Sequence, residues 1–189
     1  MSKLFYYRKI FHLFGSVVAF GYLLIPEKFL YLKILIAFLI PFLLMDIIRL
    51  TFPRMNELFF RIFAPLTAEK DAHQLNGSTY YLISSSLAVL LFPREIAIAS
   101  MLYLSIGDSV AAIVGKKFGK TRIFDKTLEG SLACLLLCFL ISLAFFNWKT
   151  SLMGAVSATL VELFPLFLDD NLLIPLLCGG VLLFSTKIF

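Results

Sequence analysis

The sequence predicts an all-α, polytopic membrane protein of about seven transmembrane helices, with one amphipathic helix lying at the membrane surface. Three observations carry this. Of the 189 residues 60% are hydrophobic and the mean hydropathy is +0.94, against the roughly 45–50% apolar content of soluble domains. The apolar residues gather into runs that approach the ~20 residues needed to cross a hydrocarbon core. Lipid offers no partner to exposed backbone amides, and the alternation of a barrel strand is absent, so these runs are helices. A single domain, residues 1–189, is expected.

The runs fall at residues 10–25, 29–48, 78–92, 96–114, 130–146, 150–168 and 172–186. Several are short, so the count lies between six and eight. Residues 1–9 with the following apolar run imitate a signal peptide, but Pro26-Glu27-Lys28 stands where a small-residue cleavage site belongs, and a retained first span is expected. Arg8 and His12 sit one turn apart where that span enters the membrane; snorkelling and core hydrogen bonding are the plain alternatives to a functional role. Asp46 and Arg49 are spaced to pair at the end of the second span.

In the connector 49–76, Met55, Leu58, Phe59, Ile62 and Phe63 fall on one helical face with Asn56, Glu57 and Arg61 opposite, which describes an interfacial helix bounded by Pro53 and Pro65. Asn76-Gly77-Ser78-Thr79-Tyr80 opens the third span as a cap. Cys134, Cys138 and Cys178 lie inside spans and read as core packing. With the N-terminus inside, twelve of the 17 Lys and Arg fall on the inner face, as the positive-inside tendency requires. Basic residues so tied to orientation, with aromatics mostly in apolar spans, argue against nucleic acid as a partner.

Three clusters carry chemistry. Asp108 lies about two turns before the end of the fourth span, on a face shared with Ser105, Ala112 and Gly115; an intramembrane carboxylate is costly and therefore a functional candidate. Directly after it, Gly115-Lys116-Lys117-Phe118-Gly119-Lys120-Thr121-Arg122 and Lys126-Thr127-Leu128-Glu129-Gly130-Ser131 combine glycines, lysines and a helix start, the ingredients of a polyphosphate cradle. A carboxylate beside lysines suits a Mg2+–triphosphate, because magnesium takes carboxylate and phosphate oxygens while lysines neutralise the remainder. The third cluster, Glu162 and Asp169-Asp170-Asn171, is expected at the inner end of the sixth span. There the two aspartates oppose the helix dipole and need a cation, and Glu162 shares a face with Asp169 if the helix continues past Pro165.

The run Gly107-Asp108-Ser109-Val110-Ala111-Ala112-Ile113-Val114-Gly115-Lys116-Lys117-Phe118-Gly119-Lys120, followed by Lys126-Thr127-Leu128-Glu129-Gly130-Ser131, closely resembles the nucleotide-binding signature of the CTP-dependent lipid-alcohol kinases, a family that includes dolichol kinase, phytol kinase and a CTP-using diacylglycerol kinase. Arg8-Lys9-Ile10-Phe11-His12, Glu69 before Asn76–Tyr80, and Glu162 before Asp169-Asp170-Asn171 and Pro175 follow in the expected order. The resemblance implies transfer of the terminal phosphoryl group of CTP, as co-substrate, to the hydroxyl of a membrane lipid alcohol (polyprenol or dolichol, a phytol-like isoprenoid or diacylglycerol), giving a lipid monophosphate and CDP. It further implies Mg2+ on Asp108 and Asp170, with Glu162 as a further metal candidate. Phosphates are expected at Gly115, Lys116, Lys117, Gly119, Lys120, Lys126, Thr127, Gly130 and Ser131. Glu129 or Asp169 is expected to orient the hydroxyl or a nucleotide group, and Arg8, His12, Glu69 and Tyr80 to meet the lipid.

The same motif resembles phosphatidate cytidylyltransferases, but their Pro-Gly-His-Gly-Gly run and Asp-Arg-Asp-like segment are missing here, where the histidines are His12 and His73. That favours the kinase branch. A cation-coupled transporter using Asp108 and Glu162 is the rival from another class. The expected location is a bacterial or archaeal cytoplasmic membrane, or one of endoplasmic-reticulum type, with the site on the cytosolic face.

Overall fold

The computed structural model describes residues 2–164 and 168–189. The helices are α1 (Ser2–Phe14), α2 (Ser16–Leu24), α3 (Lys28–Thr51), α4 (Pro53–Phe63), α5 (Gly77–Leu91), α6 (Arg94–Leu102), α7 (Ser109–Phe118), α8 (Leu128–Leu143), α9 (Trp148–Leu163) and α10 (Asp170–Ile188). A single 3-10 turn covers Glu69–Ala72, and a π-helical segment, Tyr103–Asp108, joins α6 to α7. The described sheet is a two-stranded hairpin, β1 (Arg122–Ile123) against β2 (Lys126–Thr127), antiparallel with Ile123 opposite Lys126.

The all-α expectation holds in its coarse form. Among the described residues three continuous helices are long and apolar enough to cross a bilayer, Lys28–Thr51, Arg94–Phe118 and Asp170–Ile188, while the apolar Gly77–Leu91 and Leu128–Leu143 are shorter. The expected first span is not one helix: the Gly15 amide bonds the His12 carbonyl at 2.9 Å, three residues back, and the chain breaks into α1 and α2 there. The Pro165 kink falls outside the described residues. Asp169 and Asp170, however, do not end the preceding helix. They begin α10, with Asp169 as N-cap accepting from the Asn171 amide at 2.9 Å, so the dipole favours both.

Arg94–Phe118 is the central element. Along its first turns Ile96, Ala97, Ile98, Ala99, Met101 and Leu102 are all buried. Packing places α2, α5 and α10 on α6, α8 between α7 and α9, α3 on α5, and α1 on α7. Small residues set the approach: a Cβ on Gly107 would lie 2.6 Å from the Cys138 Sγ, and one on Gly130 2.6 Å from the Ala111 carbonyl oxygen. Outside this core, rows such as Leu132, Leu136 and Leu140 on α8 are exposed one turn apart, together with most of the outer face of α3. Apolar surface on this scale has no counterpart in a water-soluble monomer, and the chain is an integral membrane protein.

α4 forms as the sequence reads, with Pro53 in its first turn. Phe59 turns inward while Met55, Leu58, Ile62 and Phe63 stay exposed. The three cysteines are free and buried, as core packing requires.

Candidate active site

A polar cavity of about 200 Å³ opens where α1, the 69–76 loop, the π segment, β2 and the start of α10 meet. Asp108 and Asp170 both line it, with Arg8, Lys9, His12, Lys70 and Lys126 around them. The π turn delivers Asp108 to this wall at 5% exposure; such wide turns inside helices recur at functional positions. Its Oδ2 accepts from the Lys9 Nζ at 2.6 Å, and Lys126 stands 3.9 Å from Oδ1. Lys126 donates to the Glu162 Oε1 at 2.8 Å, and the Ser131 hydroxyl reaches Oε2 of the same carboxylate at 3.4 Å. Lys70 pairs with the Asp169 Oδ2 at 2.6 Å, while Asp169 Oδ1 takes the amide and side chain of Asn171.

Each of these carboxylates therefore has a lysine already in place. Asp170 is different: among the described residues its carboxylate makes no ion pair or hydrogen bond, although it faces the cavity. Burial alone would lower the pKa of Lys126, but Asp108 and Glu162 outweigh it and raise the value above the ordinary 10.5. Lys70 is raised in the same way, burial being overcome by its bond to Asp169. Both stay cationic at neutral pH.

The loop carrying Lys70 is held from beneath by a buried knot. Asp46 and Arg49 pair at 2.6 Å, as their spacing allows, and both are almost fully buried. Arg49 also donates to the Asp71 and Gln74 carbonyls at 2.6 and 2.7 Å, its guanidinium lies 4.8 Å over the Phe59 ring, and Asp46 accepts from the Asn76 amide at 2.8 Å. Burial raises the Asp71 pKa. Asn76 caps α5 by accepting from the Ser78 amide, as expected.

The lysine-bearing turn lies beside the cavity. Lys117 and Lys120 are exposed, and Lys116 sits 3.7 Å over the Phe5 ring of α1; none of the three lines the cavity. The glycines of this turn are closely packed: a Cβ on Gly115 would lie 2.6 Å from the Thr127 Oγ1, and Gly119 is crowded by the same residue. Thr127 caps α8 by accepting from the Gly130 amide at 3.2 Å. Glu129 accepts from the Thr121 amide at 3.3 Å, on the hairpin side. Arg8 and His12 line the cavity, whereas Glu69 and Tyr80 do not; their neighbours Lys70 and Tyr81 line the polar cavity and the apolar chamber beside it.

Lys9, Lys70, Asn76, Ser78 and Asn171 line the cavity as well, although the sequence assigns none of them a substrate or metal role. Lys9 shares a helical face with His12, and that spacing was the available signal; the others depend on where the 69–76 loop folds.

The comparisons fit this geometry. The chain is 32% identical over 164 residues to the CTP-dependent diacylglycerol kinase 1 of Schizosaccharomyces pombe, covering 76% of this chain and 75% of that protein. It is 29% identical to the CTP-dependent diacylglycerol kinase 1 of Saccharomyces cerevisiae, over 90% of this chain and 69% of that one. It is 33% identical to the chloroplastic phytol kinase 1 of Arabidopsis thaliana, over 59% of this chain and 44% of that one. No family model matches. No solved structure matches.

Proposed function

The chain belongs to the family of CTP-dependent lipid kinases that contains the diacylglycerol and phytol kinases, and from that premise we propose that it phosphorylates the hydroxyl of a membrane lipid alcohol with CTP, releasing CDP. The observation that carries the reading is the convergence of Asp108 and Asp170, from separate helices, on one small cavity ringed by Lys9, Lys70, Lys126 and Arg8.

In the reaction the alcohol oxygen bonds to the terminal phosphorus, the bond from that phosphorus to its bridging oxygen breaks, and the electron pair leaves with CDP. His12, on the cavity wall, accepts the hydroxyl proton at its ring nitrogen. Chemistry of this kind asks mainly for positioning and charge neutralisation. Lys9 and Lys126, released from Asp108 and Glu162, turn to the phosphates, and Lys116, Lys117 and Lys120 receive the outer part of the nucleotide at the mouth.

Magnesium fits the donor set. Among the described residues no three His, Cys, Asp or Glu side chains are grouped to cage a metal unaided, but magnesium is usually held by one or two carboxylates together with substrate phosphates. Asp108 and the unpaired Asp170 would hold it, and it would supply neutralisation of the triphosphate. Glu162, engaged by Lys126 and Ser131, acts through Lys126. Glu129 and Asp169 have their oxygens in backbone and lysine bonds and hold the hairpin and the start of α10. The shorter apolar helices complete a set of about seven spans, α4 lies in the interface, and the cavity faces the cytosol.

The test is purified protein in lipid nanodiscs supplied with labelled CTP or ATP and with diacylglycerol, phytol or a polyprenol. Lipid monophosphate with CDP is expected. Pyrophosphate release from a lipid phosphate would mean a cytidylyltransferase instead, and ion flux without nucleotide chemistry a transporter.

A further inference from the structure

Beside the polar cavity lies a second, apolar chamber of about 450 Å³, between α1 and α2 on one side and α3 and α5 on the other, floored by the π segment. The two voids share Phe11, His12, Gly77, Ser78 and Asn171 in their walls. The two adjoin at these residues, one charged and the other hydrocarbon-like.

The chamber's own construction keeps it apolar. Its two tyrosines spend their hydroxyls on the backbone where the first helix breaks: Tyr81 donates to the Gly15 carbonyl at 2.8 Å, and Tyr31 to that of Val18. Polar groups remain at the neck, at His12, Ser78 and Asn171. There Ser84 ties the Asn171 carbonyl to α5 at 2.7 Å, and a Cβ on Gly77 would come within 2.9 Å of the Asn171 side-chain nitrogen, so the absence of a side chain at 77 keeps the neck open. At the far side Phe14, Val17 and Phe38 line the chamber yet are 67%, 63% and 59% exposed. They stand at a lateral opening on the lipid-facing surface.

We propose that this chamber holds a single hydrocarbon chain of the acceptor alcohol, entering sideways between α2 and α3, with its hydroxyl at the neck formed by His12, Ser78 and Asn171; this rests on the kinase reading of the adjoining cavity. At the roughly 30 Å³ occupied by a water-sized group, 450 Å³ takes about fifteen such units, the scale of one chain. A second chain, where the acceptor has one, stays in the bilayer. An apolar channel leading from the membrane to a charged site solves the acceptor's main difficulty, since its tail never leaves hydrocarbon while its hydroxyl reaches the phosphates.

The experiment uses the full chain in nanodiscs with a series of single-chain alcohols of increasing length. Val18→Trp and Ile34→Trp, on different walls, shorten the chamber, and Phe38→Ala lengthens it. For either Trp variant, kcat/KM for the longest alcohol relative to the shortest falls about tenfold, the loss of roughly two buried methylenes, while CTP affinity measured by equilibrium binding is unchanged; Phe38→Ala moves the ratio the other way. A ratio that stays fixed in all three overturns the chamber as the chain's site. A second readout does not need turnover: an alcohol with a photoreactive group at its tail end labels Ile34 and Phe38, and an unlabelled alcohol competes. Uncompeted labelling, or labelling only of outward residues such as Leu132 and Leu136, overturns the proposal. If competed labelling appears and no alcohol is phosphorylated, the chamber stands and the kinase reading falls.

Discussion

Replacing Asp108 by Asn removes a charge that is almost entirely withdrawn from solvent. Its Oδ2 lies 2.6 Å from the Lys9 Nζ, and the two side chains are 7% and 11% exposed. Lys126, at 3.9 Å, keeps its closer partner Glu162 at 2.8 Å, so the stability loss concentrates on Lys9, whose charge is left buried and unmet. Breaking a buried pair in this way costs about 3–5 kcal/mol. For a domain of this size that lowers the apparent Tm by roughly 10 °C. The buried thiols of Cys134, Cys138 and Cys178 supply the assay, since a thiol-reactive dye reports unfolding as they become exposed. Activity should fall about 100-fold or more, the usual effect of deleting a group that organises transferring charge. Lys9→Met with Asp108→Asn removes the unmet lysine and restores most of the stability without restoring turnover. If Asp108→Asn keeps its Tm, or the double variant recovers activity, the assignment of Asp108 as both buried ion-pair partner and site carboxylate is refuted.

Arg49→Met leaves Asp46 without its guanidinium and frees the Asp71 and Gln74 carbonyls, so a loss of about 3–5 kcal/mol is expected in the same dye assay, with weaker CTP binding as the Lys70 loop loosens; unchanged binding would separate the knot from the site. Lys126 has a pKa raised above 10.5 because Asp108 and Glu162 outweigh burial. A lysine raised on folding contributes stability that is fully present below the unfolded value and is lost as pH climbs through the folded one. The Tm gap between wild type and Lys126→Met should therefore be flat from neutrality to about pH 10 and narrow above it; a gap closing between about pH 5 and 8 would contradict the ion pair. Chelating divalent cations should stop turnover while leaving the Tm unmoved, because lysines already meet the charges of Asp108, Glu162 and Asp169; a large drop in Tm would point to a structural metal.

The helical class, the amphipathic α4, the Asp46–Arg49 pair and the cap at Asn76 were legible in the sequence because each depends on contacts within a few residues. Asp108 stood out because a carboxylate in an apolar run demands an explanation. What the sequence hid depends on breaks and long-range closure. Nothing local shows that the chain interrupts its first run at Gly15, where the Tyr81 hydroxyl of a distant helix donates to that residue's carbonyl. The aspartates at 169 and 170 were assigned to the wrong helix end because the preceding run reads as continuous through residue 168. At glycines 115, 119 and 130 the sequence does not show that Thr127 and the backbone of Ala111 stand where a side chain would project. Lys9 and Lys70 gained their places only through partners 99 residues away.

The central claim is that Asp108 and Asp170 serve one metal–nucleotide complex, and a double-mutant cycle on CTP affinity at saturating and at zero Mg2+ tests it most directly. With Mg2+, Asp108→Asn and Asp170→Asn should each weaken CTP binding, and the double variant should be little worse than either, a coupling of about 1–3 kcal/mol that vanishes when the metal is withheld. Losses that simply add, or a coupling that ignores Mg2+, would mean that the two carboxylates do not share the ion.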